Sequence, residues 1–170
     1  SAYYNMGVAY MSLNKFEKAL EELGLAEEIE EQKDPLLLQS IAHCYFETNE
    51  YKQALKYYRR ALDITSDIHE SWYGIGLIFE KKEKWLEAIH FFNKAYQLDH
   101  TIPKYVRALA HTEYQLGNHV TSLNYFEQAI SIDPKEVNTW LCSSYIHYEL
   151  GDLAKASKIM LDALEELPEE

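Results

Sequence analysis

The sequence predicts an all-α fold of five consecutive helix-turn-helix repeats, ten helices in all, and three observations lead to it. Apolar residues recur at helical spacing in short stretches. Small residues return in register every 34 positions. Residue types that tolerate a left-handed backbone separate the members of each helix pair. The clearest copy is 72–95, where Trp72, Ile75, Gly76 and Phe79 mark one helix and Trp85, Ala88, Ile89, Phe92 and Ala95 a second. Between them Lys81, Lys82, Glu83 and Lys84 are too polar to be buried. Gly76 and Ala88 are small enough to let two helix backbones approach closely. One such pair cannot bury its own apolar surface, and repetition supplies the missing cover.

The columns of that repetition are specific. The first small position of each second helix reads Ala19, Ala54, Ala88, Ser122 and Ala156, and a later one reads Ala26, Ala61, Ala95, Ala129 and Ala163. A bulky column lies between them: Leu23, Tyr58, Phe92, Phe126 and Met160. The first helices carry the small column Gly7, Ala42, Gly76, Ala110 and Ser144. A 34-residue helix-turn-helix period with these small and aromatic positions resembles the tetratricopeptide repeat family. The resemblance spans essentially the whole chain, as one array with repeats at about 1–34, 35–67, 68–101, 102–134 and 135–168. It implies a solenoid coiled as a right-handed superhelix, with the first helices lining the concave side.

In chain order, the first repeat opens on a helix from Ala2 to Leu13 with Tyr3, Met6, Gly7 and Tyr10 on one face. Asn14, Asn49, Glu83, Gly117 and Gly151 occupy the intra-repeat turns, and Phe16, Tyr51, Trp85, His119 and Leu153 start the second helices. One extra residue between Ile29 and Leu38 makes the first spacing 35 and falls in a connector. Asp34 and Pro35 read as N-cap and first-turn proline of the second repeat. Ser66 and Asp67 are expected to cap the third, Thr101–Ile102–Pro103 opens the fourth, and Asp133–Pro134 closes its second helix. Only Pro134 and Pro168 occupy the inter-repeat proline column; Ser66 and His100 replace it elsewhere. In the last two repeats Glu113 and His147 take the place of Tyr10, Tyr45 and Phe79, and the aromatic moves on by one, to Tyr114 and Tyr148. One residue is about 100° around a helix, so either the aromatic leaves the packed face or the helix turns to follow it. The array reads as a piece of a longer one, with self-association through the last helix, Leu153 to Leu164, as the alternative.

Composition narrows the function. A net charge of -12 disfavours attraction to nucleic acid or anionic membrane. Residues 1–35 alone carry eight acidic against three basic side chains, read as a solvated helix face. No apolar run approaches the ~20 residues a membrane helix needs. Cys44 and Cys142 lie in different repeats, so a disulfide is not expected, and two free thiols suit the cytoplasm. There is no phosphate-cradling glycine loop, no H-E-x-x-H and no C-x-x-C, and the histidines are scattered. No enzymatic activity, metal or cofactor is expected. His119 stands in a column of bulky residues and reads as packed.

What the resemblance implies is a protein-interaction scaffold that takes a peptide or partner helix in the concave groove. The alternative is the targeting or regulatory arm of a larger enzyme or secretion machine. A helical-repeat RNA binder ranks last, since the groove is not uniformly basic. Groove positions are Tyr4 in the first repeat, His43 and Phe46 in the second, and Tyr73 and Leu77 in the third. The fourth contributes Lys104, Arg107, His111 and Tyr114, and the fifth Leu141, Tyr145 and Tyr148. Val8, Leu77 and Leu141 read equally as core or groove. The tyrosines read as groove, because they offer rigid contact area with a hydroxyl. Lys104 and Arg107 are expected to hold a carboxylate of a bound peptide. The Lys/Asn clamp by which some family members grip acidic chaperone tails has only Lys104 in place and is not expected to work here.

Overall fold

The computed structural model describes residues 2–29 and 34–166. Ten helices occupy them: α1 (Ala2–Ser12), α2 (Phe16–Ile29), α3 (Pro35–Glu47), α4 (Tyr51–Ile64), α5 (His69–Glu80), α6 (Trp85–Leu98), α7 (Pro103–Gln115), α8 (His119–Ile132), α9 (Val137–Glu149) and α10 (Leu153–Glu166). Among the described residues there is no strand. The inserted residue expected between Ile29 and Leu38 and the proline at 168 fall wholly or partly outside the described residues.

All five intra-repeat turns close the same way. Asn14, Asn49 and Glu83 adopt φ of 54°, 63° and 55°, and Gly117 and Gly151 adopt 80° and 79°. At each, the next residue's N–H donates to the carbonyl five positions back: Lys15 to Tyr10, Glu50 to Tyr45, Lys84 to Phe79, Asn118 to Glu113 and Asp152 to His147. This bond satisfies a carbonyl that the helix end would otherwise orphan, and it requires the left-handed residue before it. The residue after it then starts the second helix, at Phe16, Tyr51, Trp85, His119 and Leu153 as expected. Glu83 alone fills this conformation with a side chain that gains nothing from it. Glu83→Gly is therefore expected to raise stability by about 1 kcal/mol, read as a higher urea midpoint at unchanged slope. Gly117→Ala should do the reverse, although its added Cβ would meet no atom within 4 Å, because the cost lies in the backbone alone.

Starts of the first helices follow the period more closely than residue type. Asp34 caps α3, its carboxylate accepting from Leu36 N–H at 2.9 Å, with Pro35 in the first turn. The positions 34 residues on are Ile68 and Ile102, and these are the caps of α5 and α7, without any side-chain bond. The expectation that Ser66 and Asp67 cap the third repeat is thus corrected. Ile68 is only 9 % exposed, and its burial sets the helix start two residues beyond the better capping side chain. Ser66 serves otherwise, its carbonyl accepting from Trp72 Nε1 at 2.9 Å, as the Pro134 carbonyl accepts from Trp140 Nε1 at 2.8 Å.

The helices form two compact units, α1–α5 and α6–α10, which divide between Lys84 and Trp85. In the first unit successive helices pack on one another, and α3 also touches α1 and α5. Its core gathers Ala19, Leu23, Ala26, Leu37, Ile41 and Cys44. Gly7 is required there, since a Cβ would lie 2.5 Å from Leu23 Cγ. Glu27 is no simple solvated charge: it accepts from Arg60 Nη2 at 2.6 Å and from Tyr57 Oη at 3.1 Å, tying α2 to α4. Burial, with the adjoining Glu27 carboxylate, pushes the Tyr57 phenol above its ordinary pKa. Burial, then Glu47, pushes the Cys44 thiol up to about 12, so it stays protonated.

In the second unit α6 packs on α7, α7 on α8, α8 on α9 and α9 on α10. The two serines of the small columns bond across their helix pairs. Ser122 Oγ donates to the Ala110 carbonyl at 2.7 Å, and Ser144 Oγ to the Ala156 carbonyl at 3.0 Å. Such bonds reach only across closely approaching backbones, which is why these columns admit nothing larger. Ala26, Ala61, Ala95, Ala129 and Ala163 are all buried. Fully burying Leu23 or Phe92, each 0 % exposed, contributes about 1.5–3 kcal/mol.

Candidate functional site

The shifted aromatics of the last two repeats resolve in one direction. His147 stays on the packed face at 9 % exposure, while Tyr148 stands 62 % exposed. The helix has not turned; the aromatic has left the core. Tyr114 makes the same move part-way. Its ring packs against Ala110, Leu123, Phe126 and Ile146, and its hydroxyl reaches outward. There it donates to Glu149 Oε2 at 2.6 Å, and Tyr145 Oη donates to Oε1 of the same carboxylate at 2.8 Å. Tyr114 on α7 and Tyr145 on α9 are thereby joined through one charge, that of Glu149 one turn on from Tyr145.

The hydrogen bond to Glu149 pushes the Tyr114 phenol up to about 12, and bonds from Tyr114 and Tyr145 hold the Glu149 carboxyl below its usual range. The bonded pair needs a protonated phenol and an ionised carboxylate. The raised phenol gives stability that is complete below pH 10, the ordinary phenol value, and lost as pH rises through about 12. The depressed carboxyl gives stability present above 4.5, its ordinary value, and lost as pH falls through its lowered pKa. In a spectrophotometric titration Tyr114 is expected to ionise near pH 12, and in Glu149→Gln to return toward 10. A titration identical in parent and variant would remove the bond.

Two clefts flank this clasp. His111, Tyr114, Phe126, Cys142, Tyr145 and Ile146 line a cavity of about 210 Å³. Leu141, Tyr145, Tyr148, Ser144, Met160 and Leu161 lie along an open groove of about 620 Å³ between α9 and α10. Tyr145 walls both. The His111 ring meets Trp85 edge-on with centroids 5.9 Å apart, and the His119 ring lies on Tyr114 at 5.5 Å. His119 is packed, as its column implied, but its Nδ1 is buried without a hydrogen-bond partner.

The structure thus brings His111, Tyr114, Leu141, Tyr145 and Tyr148 into one surface of the second unit. Arg107 is turned elsewhere: its Nη1 lies 3.8 Å from Asp133 Oδ2, at the end of α8. The Lys104 ammonium lies over the Tyr105 ring at 5.4 Å. In the first unit several groove candidates are engaged at home. Tyr4 packs against the core, His43 meets Phe16 at 6.0 Å, and Phe46 pairs with Tyr51 at 5.6 Å. Tyr73 and Leu77 are half-buried on α5, while Val8 and Leu141 are exposed. Glu149 was not among the sequence candidates. The signal that could have found it is the Tyr145–Glu149 spacing of four, which puts both on one helix face. Among the described residues no helix is long and apolar enough to cross a membrane.

Helix pairs that repeat along the chain, with small residues at close approaches such as Gly7, Ser122 and Ser144, define a helical-repeat protein of the kind that serves as a protein-interaction scaffold. The profile described as "TPR repeat" matches residues 42–83, and that described as "Tetratricopeptide repeat" matches 1–33, 69–101 and 108–136. The chain belongs to the tetratricopeptide repeat family. No curated protein sequence matches it. Among solved structures it is similar to a MamA double mutant of RS-1, with TM-score 0.84 at 14 % identity over 97 % of this chain and 92 % of that one. It is similar too to MamA from residue 41 onward of Desulfovibrio magneticus RS-1, with TM-score 0.84 at 15 % identity over 97 % and 93 % of the two chains. A further crystal structure of MamA gives 0.82 at 17 % identity over 94 % and 93 %. At these identities the likeness concerns the fold.

Proposed function

We propose that the chain is a non-catalytic scaffold that binds a peptide or helix of a partner protein on the α7–α9 face of its second unit. His111, Tyr114, Leu141, Tyr145 and Tyr148 form the contact surface. The observation that carries this reading is the outward placement of Leu141, Tyr145 and Tyr148, at 45, 52 and 62 % exposure, beside a cavity and an open groove. Large apolar and aromatic side chains gathered at a concave surface mark binding sites on soluble proteins, and tyrosine is enriched among the residues that dominate binding energy. The family supports the same class of function.

The test compares partner capture by the parent chain and by Tyr145→Ala/Tyr148→Ala. Both side chains are mostly in solvent, so the variant is expected to keep its helical circular dichroism and melting point. Partner retention should fall about tenfold or more, the usual consequence of removing two anchoring aromatics. Equal capture by a folded variant would exclude this surface.

A further inference from the structure

Resting on that reading, we propose that the partner places one apolar side chain in the His111–Tyr114–Tyr145 cavity and one cationic side chain, lysine or arginine, on the Glu149 carboxylate beside it. The cavity's size fixes the first half. At about 210 Å³ it is smaller than the ~300 Å³ of ordinary small-molecule pockets, and it accommodates a single side chain. Its walls are aromatic rings, Phe126 and Ile146, so that side chain is apolar.

The carboxylate fixes the second half. Tyr114 and Tyr145 wall the cavity with their rings and donate their hydroxyls to Glu149, so the charge stands one tyrosine ring's length from the apolar anchor. Each carboxylate oxygen accepts one of these bonds and retains a lone pair for a further donor. Both donors are neutral, so neither cancels the charge. Among the described residues no lysine or arginine pairs with Glu149. The His119 ring, tilted against Tyr114, adds a favourable electrostatic influence on Glu149 without bonding it, and the Glu113 carboxylate on α7 accepts from Asn118 Nδ2 at 2.7 Å. Exposed faces of Tyr145 and Tyr148 favour a cation over them as well. Charge on the larger scale points the same way, since a chain of net -12 attracts a basic partner and repels an acidic one. The expected use of Arg107 to hold a partner carboxylate competes with Asp133, already at 3.8 Å.

Three small probes share one apolar group and differ in charge: 3-phenylpropylammonium, 3-phenylpropanol and 3-phenylpropanoate. Each is titrated into the full 170-residue chain at physiological salt, following the nuclear magnetic resonance signals of Tyr114, Tyr145 and Ile146. The cation is expected to bind about fivefold more tightly than the alcohol, with the anion weakest, the size of one exposed ion pair. That lead should shrink in about 1 M salt, where screening acts within ~3 Å. In Glu149→Gln the cation's advantage should vanish while the alcohol binds as before. An alcohol that binds as well as the cation, or an advantage that survives Glu149→Gln, overturns the cationic partner and leaves the binding face standing. Failure of all three probes to move these signals overturns the anchor cavity. The face itself is judged separately, by the Tyr145→Ala/Tyr148→Ala comparison.

Discussion

Replacing Ala95 with glutamate is expected to remove most or all of the cooperative unfolding transition of α6–α10 at neutral pH. Ala95 is 0 % exposed on α6, in a column that is alanine in every repeat. A glutamate there brings two separate penalties. The side chain overfills a close-packed site, which costs about 1–3 kcal/mol. Its carboxylate must also be buried without a partner or be protonated far above its normal pKa, and the sum is about 4 kcal/mol or more. Against a typical total of ~5–15 kcal/mol, that is enough to unfold the repeats around it. Two companions separate the causes. Ala95→Leu should show only the overfilling, and Gln97→Glu on the exposed side of the same helix should melt within about 0.5 kcal/mol of the parent. The introduced carboxyl has a raised folded pKa, so the charge-burial part of the lost stability should return as pH falls through that raised value, and be fully restored below its unfolded value of ~4.3. A variant that melts like the parent would mean that the alanine column is not a packing column.

The fold was legible because one length governs it. A helix pair that must bury its face on the next copy repeats its small residues at a fixed spacing, and Ala19 through Ala163 display that spacing without any tertiary information. The turns were legible for a related reason: a left-handed residue is needed at one point in each, and four of the five are asparagine or glycine. Glu83 shows the limit of reading by residue type, since it holds φ 55° because the period puts it there. Asp67 shows the same limit from the other side. It is the better capping residue, yet the burial of Ile68 decides where α5 begins.

The proposed binding face was only partly legible. Helical spacing showed that the aromatic of the last two repeats is displaced by about 100°, to Tyr114 and Tyr148, but left open whether it leaves the core or the helix turns to follow it. It could not say that Tyr114 and Tyr145 would share Glu149, for a glutamate in a helix's last turn ordinarily faces water and carries no distinguishing pattern. Nor could it assign Arg107 to Asp133, which requires knowing how the end of α8 lies against α7. Half-buried candidates such as His43 and Phe46 looked identical in sequence to free ones. Whether an aromatic at that column is engaged depends on Phe16 and Tyr51, residues of a different column.

The second large effect is expected in the first unit, at Tyr58 and Gly74. Tyr58 on α4 is 3 % exposed, and its ring occupies the space that a side chain at Gly74 on α5 would need: a Cβ there would lie 2.3 Å from Tyr58 Cζ. Tyr58→Ala empties that space and should cost about 3–5 kcal/mol, as for other buried aromatics truncated to alanine. Gly74→Ala leaves the ring in place and forces it aside. Because Tyr58 is hemmed in by its own core, the ring cannot yield freely, and the cost should be about 1–3 kcal/mol. The two changes should not add. In the Tyr58→Ala background the new methyl at position 74 enters a void instead of a ring, so Gly74→Ala should become neutral or slightly stabilising. The alanine also gains helix propensity over glycine in the middle of α5, worth about 1 kcal/mol. Urea denaturation of the parent, both single variants and the double variant gives the coupling directly, expected at about 1–3 kcal/mol in favour of the double. Additive costs would place the ring and the glycine out of contact, and with them the close approach of α4 to α5 that the small residue at 74 permits.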